Sequence, residues 1–352
     1  MIKEEYQISY NLGGVLAASI NMGSIAGGLL ASFAALRLGI KRSNALFAGI
    51  VAASFVITLV TSNPIVLIIG FILAGLGKGV NASYGNMIVG AVTNHSQPAL
   101  NALHATFAIG AILCPLIVMA TTANDPSNWR TSMLIILGVS VVSAVCCCFL
   151  DFGSTEVVET NEGSRSWAFL KDRRFIMLLI MMFLYQAVEG TVLGWTTTYL
   201  LNTGILSESS SQALNSALWA AILIGRMAFT VISRKVKYTK IIKALSVFTL
   251  AFLVLMLAAR TRSLLVIAVV GVGFGLSGQF ANIFATSEDL FNKYALAMSI
   301  YFAFVCIGGT AWPMLVGAVA ETSGVHAGMN TILIPAVLLA AATFVNEIKV
   351  KR

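Results

Sequence analysis

Charge is what this chain lacks most. Of its 352 residues, 10% are Asp, Glu, Lys or Arg and 58% are hydrophobic, with a mean hydropathy of +0.89. Soluble domains carry roughly 25% charged residues, so a water-soluble globule is excluded and the surrounding solvent is a lipid bilayer. Cysteine is nearly as scarce. The five thiols, Cys114, Cys146, Cys147, Cys148 and Cys306, all fall inside apolar segments. That excludes a disulfide framework or thiolate metal site and leaves them as small packing residues. Three histidines are present, and no nucleophile–base pairing or metal-ligand spacing accompanies them. The chain therefore reads as neither an enzyme nor a metalloprotein, with no resident cofactor. The net charge of +8 does not point to nucleic acid, because the basic residues sit in short loops between apolar segments, where they set orientation in a membrane.

What is present is apolar length. A spanning helix needs about 20 residues at 1.5 Å each. Eleven segments meet that measure: 9–36, 44–60, 65–91, 99–121, 131–150, 175–201, 210–233, 241–259, 263–287, 295–320 and 328–346. Most connecting loops are short and carry turn signals, such as Ser62-Asn63-Pro64 and Asn124-Asp125-Pro126. The exception is 151–174, polar and charged. It is expected to be a cytoplasmic loop between an N-terminal half, 1–150, and a C-terminal half, 175–352.

Basic residues orient the chain. With the C-terminus inside, the inner loops and flanks hold Arg37, Lys41, Arg42, Arg165, Lys171, Arg173, Arg174, Arg234, Lys235, Lys237, Lys240, Lys243, Lys293, Lys349, Lys351 and Arg352. The outside keeps Lys3, Arg130, Arg260 and Arg262. Sixteen against four is a positive-inside pattern and predicts a cytoplasmic C-terminus.

Glycine is plentiful and its spacing recurs. Adding 198 positions carries Gly27 to Gly225, Gly75 to Gly273, Gly77 to Gly275, Asn81 to Gln279, Gly110 to Gly308 and Pro115 to Pro313. The same offset places Arg37 on Lys235 and Arg42 on Lys240. One offset across several segments marks an internal duplication, and in a membrane chain parallel repeats of this length mark a two-domain secondary transporter. Segment 175–201 minus 198 falls at or before Met1. The expected architecture is thus twelve spanning helices, six plus six, with the first missing: either the reading frame continues upstream for about 25 or more residues that include an apolar segment, or the chain is a truncated copy.

Two six-helix halves, a basic turn between the second and third helices of each, and a charged central loop resemble the major facilitator superfamily. The run Gly27 to Arg42, with Arg37, Gly39, Lys41 and Arg42, is similar to that superfamily's cytoplasmic loop motif without its usual acid before the first Arg. Gly75-Leu76-Gly77-Lys78-Gly79 with Asn86, then Leu103-His104, Gly110-Ala111 and Pro115, resembles the fucose-permease-like sugar symporters. The acid those permeases carry in this helix is absent; Val80, Asn81 and Ala82 stand nearby. The resemblance implies an all-α polytopic membrane protein with two pseudo-symmetric six-helix halves, eleven of the twelve helices lying here. It also implies a small polar solute as cargo, with a sugar or polyol favoured.

A charge in hydrocarbon costs at least about 2.5–3.5 kcal/mol at the helix centre, so each one needs a reason. Of fourteen acidic residues, Glu189 alone lies inside a spanning segment. Gln186, Glu189 and Thr196 fall within about 80° on a helical wheel, with Tyr185 beside them. Glu189 is either a proton- or cation-binding carboxylate or half of a structural salt bridge to Arg226 or Lys78. Lys78 lies mid-segment between Gly77 and Gly79 and reads as an anion or coupling site, or as a snorkelling side chain. Arg226 shares a face with Asn215 and Trp219 and reads as a gating or structural residue, as do the loop residues Arg37, Arg42 and Lys235. Asn81, Asn86, His104, Gln279 and Asn282 are polar candidates for solute or ion contact. Trp195, Trp219, Tyr199 and Tyr301 are candidates to stack on a sugar ring, although a membrane-interface belt also accounts for Tyr199. Gly273 to Gly278 matches G-x-G-x-x-G but lies inside a membrane helix, so it reads as helix packing, as do Gly23-xxx-Gly27 and Gly75-xxx-Gly79.

The sequence thus reads as a monomeric, multi-pass plasma-membrane transporter of a small polar solute. A coupling proton or sodium ion is expected, with the bilayer and the solute as its partners. Efflux of drugs or metabolites, or a non-transporting sensor or scaffold, stay open as alternatives.

Overall fold

Apolar runs of this length satisfy their backbone groups in a bilayer by forming helices. The computed structural model describes residues 5–93, 97–123, 125–149, 168–233, 235–286 and 295–350, and among them helices are the only regular elements. The chain forms α1 (Tyr10–Leu38), α2 (Ile40–Val60), α3 (Pro64–Val92), α4 (Gln97–Thr122), α5 (Trp129–Phe149), α6 (Arg173–Asn202), α7 (Glu208–Ile232), α8 (Tyr238–Ala258), α9 (Arg262–Ser277), α10 (Gln279–Ala285), α11 (Ala295–Ser323), α12 (Val325–Asn330) and α13 (Leu333–Val350). Ten stretches among the described residues are long and apolar enough to cross a membrane, and α4 adds a shorter one, Thr106–Thr122. The protein is a multi-pass membrane protein. Arg165, Lys293 and most of the 151–174 loop lie outside the described residues.

Helix starts follow the polar residues that precede each apolar run. Ser9, Asn63, Asp172, Ser207 and Thr261 each accept a backbone N–H of the first turn through the side chain. Gly39 alone joins α1 to α2 at φ 74°, a conformation that a Cβ disfavours. Two expected segments differ in detail. The 263–287 segment is not one helix but two, parted at Gly278. A Cβ there would press on Phe229 and Leu245, so glycine admits both side chains at the cost of helix propensity. The 328–346 segment is divided too, α12 ending before Thr331. Pro335 has no N–H to give the Thr331 carbonyl, which instead accepts from Trp312 Nε1 at 3.3 Å.

The chain divides into two compact units, Met1–Glu159 and Thr160–Arg352. In the first, α1 lies against α3, and α2 packs on both α3 and α5. The two G-x-x-x-G faces are that contact. A Cβ at Gly23 or Gly27 would strike the α3 backbone at Ile72 or Leu76, and one at Gly75 or Gly79 would strike α1 at Ile20 or Ser24. Tyr84 ties three helices together, its hydroxyl 2.8 Å from the Ala31 carbonyl and 2.5 Å from Ser43 Oγ. In the second unit α6 packs on α11 and α13, α7 on α9, and α8 on α9 and α13.

The 198-residue offset holds at the level of contacts. Gly75 abuts Ile20 and Gly273 abuts Leu218; Gly77 abuts Val51 and Gly275 abuts Thr249; Gly27 abuts Leu76 and Gly225 abuts Phe274. In each pair the neighbour is displaced by the same 198 positions as the glycine. The two units are pseudo-symmetric in backbone packing.

Candidate functional site

The site is built in the second unit around Glu189, which is 7% exposed near the middle of α6. Glycines bring α11 against this helix: a Cβ at Gly308 would collide with the Phe183 backbone, and one at Gly190 would stand 3.1 Å from Gly309. A carboxylate this buried needs hydrogen-bond or charge partners. Tyr185, one turn earlier, donates its hydroxyl to Glu189 Oε1 at 2.7 Å. Arg226 of α7 places Nη2 3.6 Å from the same oxygen. The Arg226 side chain is 38% exposed, so the pair joins a buried anion to a half-buried cation. Tyr301 of α11 is fully buried and lies within electrostatic reach of Glu189.

The Tyr185 hydroxyl also lies 3.2 Å from the Leu276 carbonyl, at the break between α9 and α10. The Phe280 ring of α10 sits 6.2 Å from Tyr185 and 6.5 Å from Tyr301. On the same short helix Gln279 and Asn282 are buried. Gln279 Nε2 donates to Thr249 Oγ1 and to the Gly275 carbonyl, both at 2.9 Å. Asn282 Nδ2 donates to the Gly278 carbonyl at 2.6 Å. Their amide oxygens, like Oδ1 of Asn215 on α7, accept no hydrogen bond from the described residues. Buried acceptors of this kind suit a ligand that brings donors or positive charge.

The remaining candidates are dispersed. Gln186 and Trp219 are half-buried and Trp195 is buried. Thr196 turns its hydroxyl back to the Val192 carbonyl at 2.6 Å, so it adds nothing to the polar stripe expected on α6. Tyr199 donates to the Met256 carbonyl at 3.1 Å and stacks on His326, which fixes α6 against α8 and α12. In the first unit Lys78 is exposed on α3, and Asn81, one turn on, is half-buried with an unpartnered Oδ1. Asn86 and His104 lie on α3 and α4, with side chains outside the described residues. Arg37, Arg42 and Lys235 are exposed at helix ends, Arg37 over the Phe33 ring at 5.2 Å. Sequence reasoning missed the Leu276 carbonyl and Thr249. The signals were Gly278, which looked like packing alone, and a hydroxyl in the apolar run of α8.

Comparison with known proteins converges on one family. "Bypass of stop codon protein 6" of Saccharomyces cerevisiae is 20% identical, over 90% of this chain and 72% of its own length. The glucose/mannose transporter GlcP of Bacillus subtilis is 22% identical, over 76% of this chain and 70% of its own. A crystal structure of a point mutant of the nucleoside transporter NupG superposes with a TM-score of 0.77 at 13% identity, covering 98% of this chain and 92% of that one. The Major Facilitator Superfamily profile matches residues 1–313, and the chain belongs to that superfamily of membrane transporters.

Proposed function

We propose that the protein is a secondary active transporter of a small polar solute, a hexose or related polyol, driven by symport of a proton or sodium ion. The observation that carries this reading is Glu189. It is a buried carboxylate near the middle of a helix long enough to span the membrane, held by one neutral donor and one half-buried cation rather than locked in a closed network. Such a group can exchange its counter-cation for a proton or metal ion as the site changes the side it faces. The unpartnered amide oxygens of Gln279, Asn282 and Asn215 suit a cargo rich in hydroxyl donors, and the Bacillus relative is named for two hexoses, glucose and mannose. The basic residues favour a cytoplasmic C-terminus in the plasma membrane.

The test is uptake of labelled hexoses and polyols by a transporter-deficient host expressing the chain, with and without a protonophore or sodium ionophore. Accumulation that collapses with one ionophore is expected and names the ion. Accumulation indifferent to both would remove symport from the reading, and inward transport of none of these solutes by well-inserted protein would overturn the cargo class.

A further inference from the structure

The 198-residue offset relates two corners of the units as well as their glycines. Near the end of α6, the Tyr199 hydroxyl lies 3.1 and 3.5 Å from the Met256 and Leu257 carbonyls, and its ring stacks on His326 at 5.8 Å. The carbonyls that match those two are Thr58 and Leu59, at the end of α2. The Tyr6 hydroxyl lies 3.0 and 3.3 Å from them, and its ring meets Trp129 edge-on at 5.7 Å. Tyr6 is not the sequence counterpart of Tyr199, yet it fills the same place. Glu5 fixes the chain there too, pairing with Arg130 and accepting from Trp129 Nε1.

Away from that corner the two units part. In the second, α6 packs on α11 and α13, and Ile332, Ala336, Leu339, Ala340 and Thr343 are buried. Their counterparts on α5 are Leu134, Gly138, Val141, Val142 and Val145, all exposed. These five fall within about 100° of one another on a helical wheel, so they form one face. Leu134 is 56% exposed against 0% for Ile332, and Val142 62% against 7% for Ala340. Off that face the units agree: Val139 is 65% exposed and its counterpart Val337 50%. On α4, Gly110 is exposed where Gly308 of α11 is buried against α6. A Cβ at Gly110 or Gly138 would meet nothing within 4 Å. Glycine on an exposed helix face costs helix propensity, and what it admits is the close approach of another helix. Among the described residues, no helix of the first unit takes the place on α4 and α5 that α6 takes on α11 and α13.

We propose that the α4–α5 face is a docking surface for one further transmembrane helix, carried on the N-terminal side of Glu5 in the same chain. The duplication supplies the kind of occupant, since a helix lies on the matching face of the second unit. Glu5 and Tyr6 supply the connection. They hold the chain at the corner that matches the end of α6, so a stretch leading into Glu5 starts at the end of the open face. The occupant is apolar over about 20 residues, because Leu134, Val141, Val142 and Val145 offer it no polar group. Its backbone comes close at Gly110, as that of α6 does at Gly308. Position 28, which matches Arg226, is glycine, so the occupant needs no acid like Glu189.

A photo-crosslinking residue at Val142 of the protein, expressed from its own reading frame in its own membranes, tests the surface, with one at Val139 as the reference. After illumination and digestion, Val142 should be joined to a peptide from the N-terminal side of Glu5. Val139 should be joined to lipid, with that peptide absent. Val142 joined to lipid alone, as Val139 is, would overturn the docking surface. Val142 joined to a second polypeptide, seen as a larger band on a denaturing gel, would overturn the occupant, whether that polypeptide is a second copy or another protein. If the Val142 variant does not insert, the same residue at Leu134 is read in the same way.

Discussion

At Gly110 of α4 an added Cβ would meet nothing within 4 Å, whereas at Gly308 of α11, 198 positions on, it would run into the backbone of Phe183. The two glycines are sequence equivalents with different neighbours. The same holds for the polar residues. Gln279 reaches the hydroxyl of Thr249, while at the equivalent places Asn81 is one methylene shorter and Val51 has no hydroxyl. Arg226 carries the charge that meets Glu189, and its counterpart at position 28 is glycine. The contacts of Gly27, Gly75 and Gly77 recur at Gly225, Gly273 and Gly275. Packing recurs at these three glycine pairs, and the polar side chains around them differ between the copies. A duplicated scaffold supplies close-packed helices, and a few side chains of the second copy add a buried ion pair.

The comparison is broken most severely at the shared glycines. Gly75→Leu and Gly273→Leu should each prevent recovery of folded protein, because the side chain must displace helix backbone at Ile20 or Leu218. The unequal glycines give the sharper contrast. Gly308→Ala should cost about 1–3 kcal/mol and lower the melting temperature of purified protein, while Gly110→Ala should raise it slightly through helix propensity. Equal effects at both positions would dissolve the contrast between the units.

Next in size is the ion pair. Arg226→Ala leaves Glu189 buried without its cation, at a cost of about 1–3 kcal/mol. Adding Glu189→Gln should restore much of that stability, since the uncompensated charge is then gone. Two additive losses in a double-mutant thermal-melt cycle would show that the groups do not interact.

The smallest effect belongs to the first unit, where charge pairing is peripheral. Glu5 accepts from Arg130 at 2.6 Å and from Trp129 Nε1. These two hydrogen bonds, Arg130 first, hold its carboxyl below the ordinary value of 4.5. A depressed acid contributes stability that is present above its unfolded value and lost as pH falls through the folded one. A slight fall in melting temperature is expected below about pH 4.5, absent in Glu5→Gln, and Trp129 fluorescence reports it.

Most of the architecture was legible because its cause is local. Segment length follows from bilayer thickness, so the expected spans 44–60 and 241–259 fall on α2 and α8 within a few residues. The glycine repeat was legible because close approach of helices tolerates no side chain, and Gly23, Gly27, Gly75 and Gly79 are the contact between α1 and α3. Glu189 stood out because a carboxylate in hydrocarbon is costly. Its partner did not: Arg226 and Lys78 were equal in the sequence, and choosing between them takes the register of α6 against α7, a long-range quantity. The break at Gly278 was hidden for a related reason. Its glycine is required by Phe229 and Leu245, residues of two other helices, and nothing local distinguishes it from the packing glycines before it.

The central claim is that Glu189 carries the coupling charge of this transporter. Purified wild type and Glu189→Gln, reconstituted in proteoliposomes at matched insertion, can be compared in two assays with the solute identified by uptake. The first is exchange of labelled for unlabelled solute without an ion gradient, and the second is accumulation driven by an imposed gradient of the coupling ion. The account predicts that Glu189→Gln keeps exchange and loses accumulation. Accumulation at the wild-type level by Glu189→Gln would contradict it.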